Sequence, residues 1–174
     1  MDTLYFNPTT EGYLIKTTNK LLGIIPYNQG LALREYSGYS SMSINNCLRF
    51  ERTCSLSTKR YIALITQALH HSTTKIPLKV YRGVPNKVAK LIQGSKVGQT
   101  LTDRGFISTS LSSNIASSFN ARTVTIFIPE GSMALYTEPF KTNLGSWGES
   151  EVLLPRNSKF KVVDPNHLIL QVVK

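Results

Sequence analysis

The sequence is poor in acidic residues: ten Asp and Glu stand against twenty Lys and Arg in 174 residues, a formal net charge of +10. That imbalance favours polyanionic partners, whether nucleic acid, phosphate-rich ligands or acidic protein surfaces, without choosing among them. Cysteine is scarce too. Cys47 and Cys54 are too few for a disulfide-stapled scaffold, and their expected state is that of half-buried free thiols. No Cys/His cluster has metal-ligand spacing, so no metal is expected. No apolar run approaches the ~20 residues needed to span a bilayer, and "LLGII" at 21–25 ends against Pro26, which argues for a soluble chain with no membrane partner. The N-terminal "MDTLYFNPTTEGY" lacks a basic segment followed by an apolar one, so no ordinary signal peptide is expected and any export would use another route. Repeats, low-complexity tracts and Pro/Gly/Ser linkers are all missing, which leaves a single domain over residues 1–174, expected to be a monomer.

A hydrophobic fraction of 41% is enough for a substantial core. In "SMSINNCLRF" (41–50), Ile44 and Leu48 lie four apart on one helical face and Asn45 and Arg49 on a neighbouring one. Arg49 can therefore point into a site while Leu48 anchors the helix. A second helix carries Ile62, Ile65 and Leu69 behind a cap at Ser55 or Ser57, and ends at His70 and His71, whose partial positive charge suits the C-terminal dipole. The period then changes. Residues 78–83 and 105–110 read as strands around a short helix stopped by Gly94. Runs over 123–137 turn at Pro129, Glu130 and Gly131, and "ESEVLL", "SKFKVVD" and "HLILQVV" supply the last strands. Helices first and strands later predict an α+β fold of two packed antiparallel sheets with flanking helices.

Two of the few carboxylates sit one residue apart in "GSWGESEVLLPRNSKF" (145–160). Strand alternation puts Glu149, Glu151 and Leu153 on one face, with the two acids about 7 Å apart, a spacing suited to stabilising positive charge and accepting a proton. In "FISTS", Ser108 and Ser110 present hydroxyls that can orient a carboxylate, while Thr109 faces the other way. Arg82, beside Gly83 in "VYRG", and Arg49 can each bind a phosphate.

Arg82 in "VYRG", the triplet Ser108-Thr109-Ser110 after an aromatic, and Glu149-x-Glu151 before "VLLP" resemble, in order and spacing, the signature of mono-ADP-ribosyltransferases. "EYSGYSSMSINNCLR" is similar to the N-terminal helix of the clostridial-type branch, which includes actin-modifying binary toxins, insecticidal toxins and Rho-modifying exoenzymes, and "FNAR" (119–122) resembles that branch's phosphate-nicotinamide loop. The resemblance spans roughly residues 31–164.

It implies two roughly perpendicular antiparallel sheets framing an NAD cleft, and a reaction in which the nicotinamide–ribose bond breaks and ADP-ribose passes to a target macromolecule. Positive charge grows on the ribose as nicotinamide leaves, so a carboxylate must stand nearby. Glu151 fills the invariant position, held in orientation by Ser108. Arg82, Arg49 and Arg122 would bind the pyrophosphate, Phe119 would pack on nicotinamide, the Gly83 backbone would engage its amide, and Asn45 would contact the adenosine side. Glutamate at position 149 accompanies arginine as acceptor, where the Rho-modifying exoenzymes have glutamine and modify asparagine. Trp147 would be the protruding aromatic of a target-recognition turn, although related toxins often place it one residue earlier. A toxin or effector acting in a target cell follows. Two other readings remain: nucleic acid as the acceptor, and a non-catalytic basic binding module.

Overall fold

The computed structural model describes residues 8–51, 53–141 and 148–174. The chain opens with helices: α1 (Pro8–Leu21), α2 (Tyr27–Glu35), a π-helical turn (Tyr36–Ser40), α3 (Ser41–Phe50) and α4 (Leu56–Leu69). Ser55 caps α4 by accepting a hydrogen bond from the Thr58 N–H at 3.1 Å. The face carrying Ile62, Ile65 and Leu69 is buried as its spacing requires. Tyr36 in the π-helical turn is almost wholly buried and meets Phe106 edge-on at 5.7 Å between ring centroids.

Strands follow: β1 (Leu78–Val84), β2 (Thr100–Asp103), β3 (Ile107–Ser110), β4 (Arg122–Ile128), β5 (Leu135–Tyr136), β6 (Glu151–Leu154), β7 (Ser158–Asp164) and β8 (Ile169–Val173). Helix α5 (Asn86–Gln93) follows β1, α6 (Ser113–Phe119) follows β3, and a short 3-10 turn (Glu138–Phe140) follows β5. The order β2-β7-β8-β4-β1-β3-β6-β5 forms one hydrogen-bonded ladder. Its two halves meet at β1 and β3, where a single registered pair, Tyr81 with Ser110, joins them. The expected purely antiparallel pairing is corrected at β4 and β8, which run parallel because β8 returns along β4 after pairing antiparallel with β7.

Two hydrophobic cores lie on opposite sides of β6. Val152 and Leu154 join the sheet core with Val80, Ile126 and Phe160, whereas Leu153 packs with Ile44, Ile65, Leu69 and Tyr36 from the helices. Burial on both faces explains why this strand reads as a continuous apolar run. The expectation of free thiols is also corrected. Cys47 and Cys54 form a disulfide, Cα to Cα 5.8 Å, because α3 ends at Glu51 in the left-handed conformation (φ 50°) and turns the chain back toward its own last turn. No helix among the described residues is long and apolar enough to cross a membrane.

Candidate active site

Strand register assembles the site. Tyr81 lies opposite Ser110, and Ser110 opposite Glu151, so β1, β3 and β6 bring Arg82, Ser108 and Glu151 together across three strands. A cleft of about 460 Å³ opens there, lined by Asn45, Arg49, Arg82, Gly83, Ser108, Phe119, Glu149 and Glu151, with Tyr36 at its floor. That volume suits a small ligand. Arg122 is exposed and does not line the cleft, because it begins β4 opposite Val84. Trp147 lies outside the described residues.

Glu151 is 6% exposed and Glu149 34%, and both carboxylates meet the same cation. The Lys141 Nζ stands 2.8 Å from Glu151 Oε2, 3.0 Å from Glu149 Oε2 and 3.3 Å from Glu138 Oε1. Strand alternation does not account for this convergence. Ser150 has a positive φ of 46°, so β6 starts only at Glu151 and Glu149 reaches the site from the preceding turn. Glu151 Oε2 also accepts hydrogen bonds from Thr137 Oγ1 at 2.6 Å and Ser37 Oγ at 3.1 Å. Burial works to raise the Glu151 pKa, but the Lys141 charge and hydrogen bonds from Lys141, Thr137 and Ser108 outweigh it and hold the group below the usual carboxylate range. Burial likewise opposes the charge on Lys141, and the three carboxylates reverse that and raise its pKa.

In the same cleft, Arg82 donates from Nη1 to the Ser108 carbonyl at 3.1 Å and forms no ion pair among the described residues. Its pKa is lowered by burial and by the nearby Arg49 charge. A half-buried guanidinium with no direct ion pair among the described residues fits a phosphate or diphosphate group. Arg49 is differently placed: its Nε and Nη2 hold both oxygens of Asp103, at 2.8 and 3.1 Å. Asn45 spends its amide inside the protein, donating to Tyr36 Oη at 2.9 Å and accepting from the Phe106 N–H at 2.9 Å. Phe119 is 62% exposed at the end of α6, available to a ligand ring and absent from the core.

Gly83 is required by packing, since a Cβ there would stand 2.4 Å from the Ala116 carbonyl oxygen of α6. Ser110 donates to the Glu149 carbonyl at 2.6 Å, fixing the turn before β6, and Thr109 donates to the Val152 carbonyl at 2.6 Å. Sequence reasoning missed Lys141, Tyr36 and Gly105. A Cβ at Gly105 would come within 2.8 Å of both Arg49 Nε and Asn45 Oδ1, so glycine there lets α3 dock against the start of β3. Among the described residues, no group of His, Cys, Asp and Glu could hold a metal ion.

An α+β fold whose strands present an arginine, a serine and a buried glutamate around one cleft is what the resemblance to ADP-ribosyltransferases implies, and comparison with known proteins shows the fold and the family. The family model for the ADP-ribosyltransferase exoenzyme matches residues 15–171, and the chain belongs to that family. A search of curated proteins returns no match. Among solved structures, the chain is similar to Plx2a, an ADP-ribosyltransferase toxin from Paenibacillus larvae, with 22% identity, a TM-score of 0.79 and 100% of both chains covered. It is also similar to the Clostridium limosum C3 exoenzyme, at 20% identity and TM-score 0.79 over 99% of this chain and 98% of that one. A third structure, C3stau2 from S. aureus with NAD, shares 19% identity at TM-score 0.74 over 99% of this chain and 97% of that one.

Proposed function

We propose that this chain is a single-domain, monomeric enzyme that cleaves NAD between nicotinamide and ribose and transfers ADP-ribose to an arginine of a target protein, with slow capture by water as a side reaction. The observation that carries the reading is that one cleft gathers both kinds of charge. Its lining includes Arg82, a cation with no ion-pair partner among the described residues, and two carboxylates gathered on a single lysine. Arg82 would bind the diphosphate, and Phe119 and the Gly83 backbone would meet the nicotinamide end. NAD supplies the glycosidic bond and a neutral leaving group. Glu151 is fixed in place by Thr137, Ser37 and Lys141 and would offset the positive charge that grows on the ribose.

Glu149 is exposed enough to be reached by an acceptor and would hold and deprotonate an arginine guanidinium, which is protonated and a poor nucleophile at neutral pH. In the present arrangement Lys141 occupies that carboxylate, so the acceptor must share or take over the contact. Arg49 would reach a phosphate only by exchanging Asp103 for it. The likeness to Plx2a, an ADP-ribosyltransferase toxin, and to a C3 exoenzyme supports action in a target cell as a toxin or effector.

The net charge of +10 favours a second reading with nucleic acid as the acceptor. Against it, the sequence does not interleave aromatic with basic residues as stacking platforms do. Incubation with labelled NAD and a cell lysate, with and without nuclease, separates the two. We expect label in protein bands, mapped to arginine by mass spectrometry. Label that nuclease removes, with protein bands blank, would promote the second reading.

A further inference from the structure

Lys141 was invisible among twenty basic residues, yet it is 3% exposed at its side chain and lies at the centre of the acidic cluster. We propose that Lys141 is a positioning residue for the reaction: its buried ammonium ties Glu149 and Glu151 to one point and keeps Glu151 a carboxylate where positive charge must be stabilised. The proposal rests on the reading of Glu151 as the catalytic carboxylate.

The 3-10 turn that Lys141 closes is keyed to β6 in both directions. Thr137 donates its N–H to the Glu151 carbonyl at 3.0 Å and its hydroxyl to Glu151 Oε2, while the Glu151 N–H donates to Glu138 Oε1 at 3.1 Å. Phe140, next to Lys141, packs into the helical core, and a Cβ at Gly30 of α2 would lie 3.4 Å from its ring. The ammonium is therefore delivered from a fixed backbone. A point charge on a flexible stem can meet three carboxylates that face it from different directions, which the planar fork of arginine does less readily.

Without a cation, a carboxylate as buried as Glu151 would take up a proton and lose its catalytic charge. The other charged and titratable groups around it do not replace Lys141. Arg82 on β1 makes no direct ion pair with Glu151, Arg49 is paired with Asp103, and the Tyr36 phenol from the π-helical turn is held neutral by burial. Glu138 and Glu149 add negative charge, and Glu11 of α1 accepts from the neighbouring Ser150 hydroxyl at 2.7 Å. One ammonium faces three carboxylates, so the cluster stays negative overall and remains attractive to a cationic acceptor.

The direction of the pH effect follows. With its native pKa below the ordinary value, Glu151 contributes stability and activity that are present at neutral pH and lost as pH falls through the lowered pKa. Removing Lys141 leaves burial dominant, so that loss should begin at higher pH.

Carbon-13 carboxyl NMR, with Glu151 assigned through Glu151→Gln, tests this beside the pH profile of nicotinamide release, in wild type, Lys141→Met and Lys141→Arg. In wild type we expect Glu151 to titrate below the ordinary glutamate range, a result that needs no variant. In Lys141→Met its midpoint should rise by more than about one unit, equivalent to a tenfold change in ionisation. The acidic limb of kcat should move with it, and Lys141→Arg, which keeps the positive charge but not the point geometry, should bring both back only part of the way. A purely structural role would lower activity evenly across pH. A wild-type Glu151 titrating at or above the ordinary range, or a Lys141→Met limb that stays in place, overturns the proposal. If wild type released no nicotinamide at any pH while Glu151 still titrated low, the catalytic reading would be the part that failed, and the positioning role would fall with it.

Discussion

Two glutamates one residue apart are separated by their surroundings. Glu151 is sealed by Thr137, Ser37 and Lys141, whereas Glu149 keeps a third of its side chain in solvent. A sealed carboxylate can serve a fixed charge, and an open one can exchange partners. Across the cleft, Arg82→Ala should weaken NAD binding by about 1.5–3 kcal/mol, the usual worth of a charge-assisted contact, as read by calorimetry. Unchanged affinity would mean that Arg82 only braces Ser108. Arg82, Ser108, Glu149 and Glu151 were legible as cleft residues because residue types in a fixed order carried them. Lys141 was not, because nothing in a basic chain distinguishes a buried lysine from the exposed ones. Arg49 and Asn45 were legible as cleft residues, but their partners, Asp103 and Tyr36, come from distant segments that no local pattern joins.

At the scale of elements, α3, α4, β1, α5, β3 and the last strands follow from periodicity, caps and glycine stops. The Ser55 cap is a direct case: Ser55→Ala should cost about 1 kcal/mol of stability in urea unfolding, with NAD binding unchanged. A stability equal to wild type would show that water or the neighbouring Ser57 and Thr58 hydroxyls satisfy the helix end equally well. The shorter or more polar pieces, β2, α6 and the π-helical turn, gave weak periodic signals. Pairing was also out of reach. The runs on either side of Gly131 and of "PRNS" look like hairpins, yet β5 pairs with β6, and β7 with β2 and β8. Partners in this sheet are chosen by which core each face must reach, and that is a property of the whole chain.

For the whole molecule, the cleft lies where the two halves of the ladder are joined by the single pair Tyr81 and Ser110. One side of that junction contributes the guanidinium and the other the carboxylates, so the fold itself keeps the two kinds of charge on separate strands. The excess of basic residues belongs to the same scale: it would speed encounter with an anionic ligand or an acidic protein surface, and this help should fade as salt shortens the Debye length from ~10 Å at 0.1 M to ~3 Å at 1 M. The central claim is that one cleft breaks the NAD bond and then directs its product to arginine. Its most direct test is to assay free nicotinamide and labelled target protein side by side for wild type, Glu149→Gln and Glu151→Gln, each shown to be folded by circular dichroism. The account predicts that Glu151→Gln loses both activities, because a neutral amide cannot offset the developing charge, while Glu149→Gln loses arginine transfer and keeps slow hydrolysis by water. Matching profiles for the two variants, or arginine transfer surviving in Glu149→Gln, would contradict it.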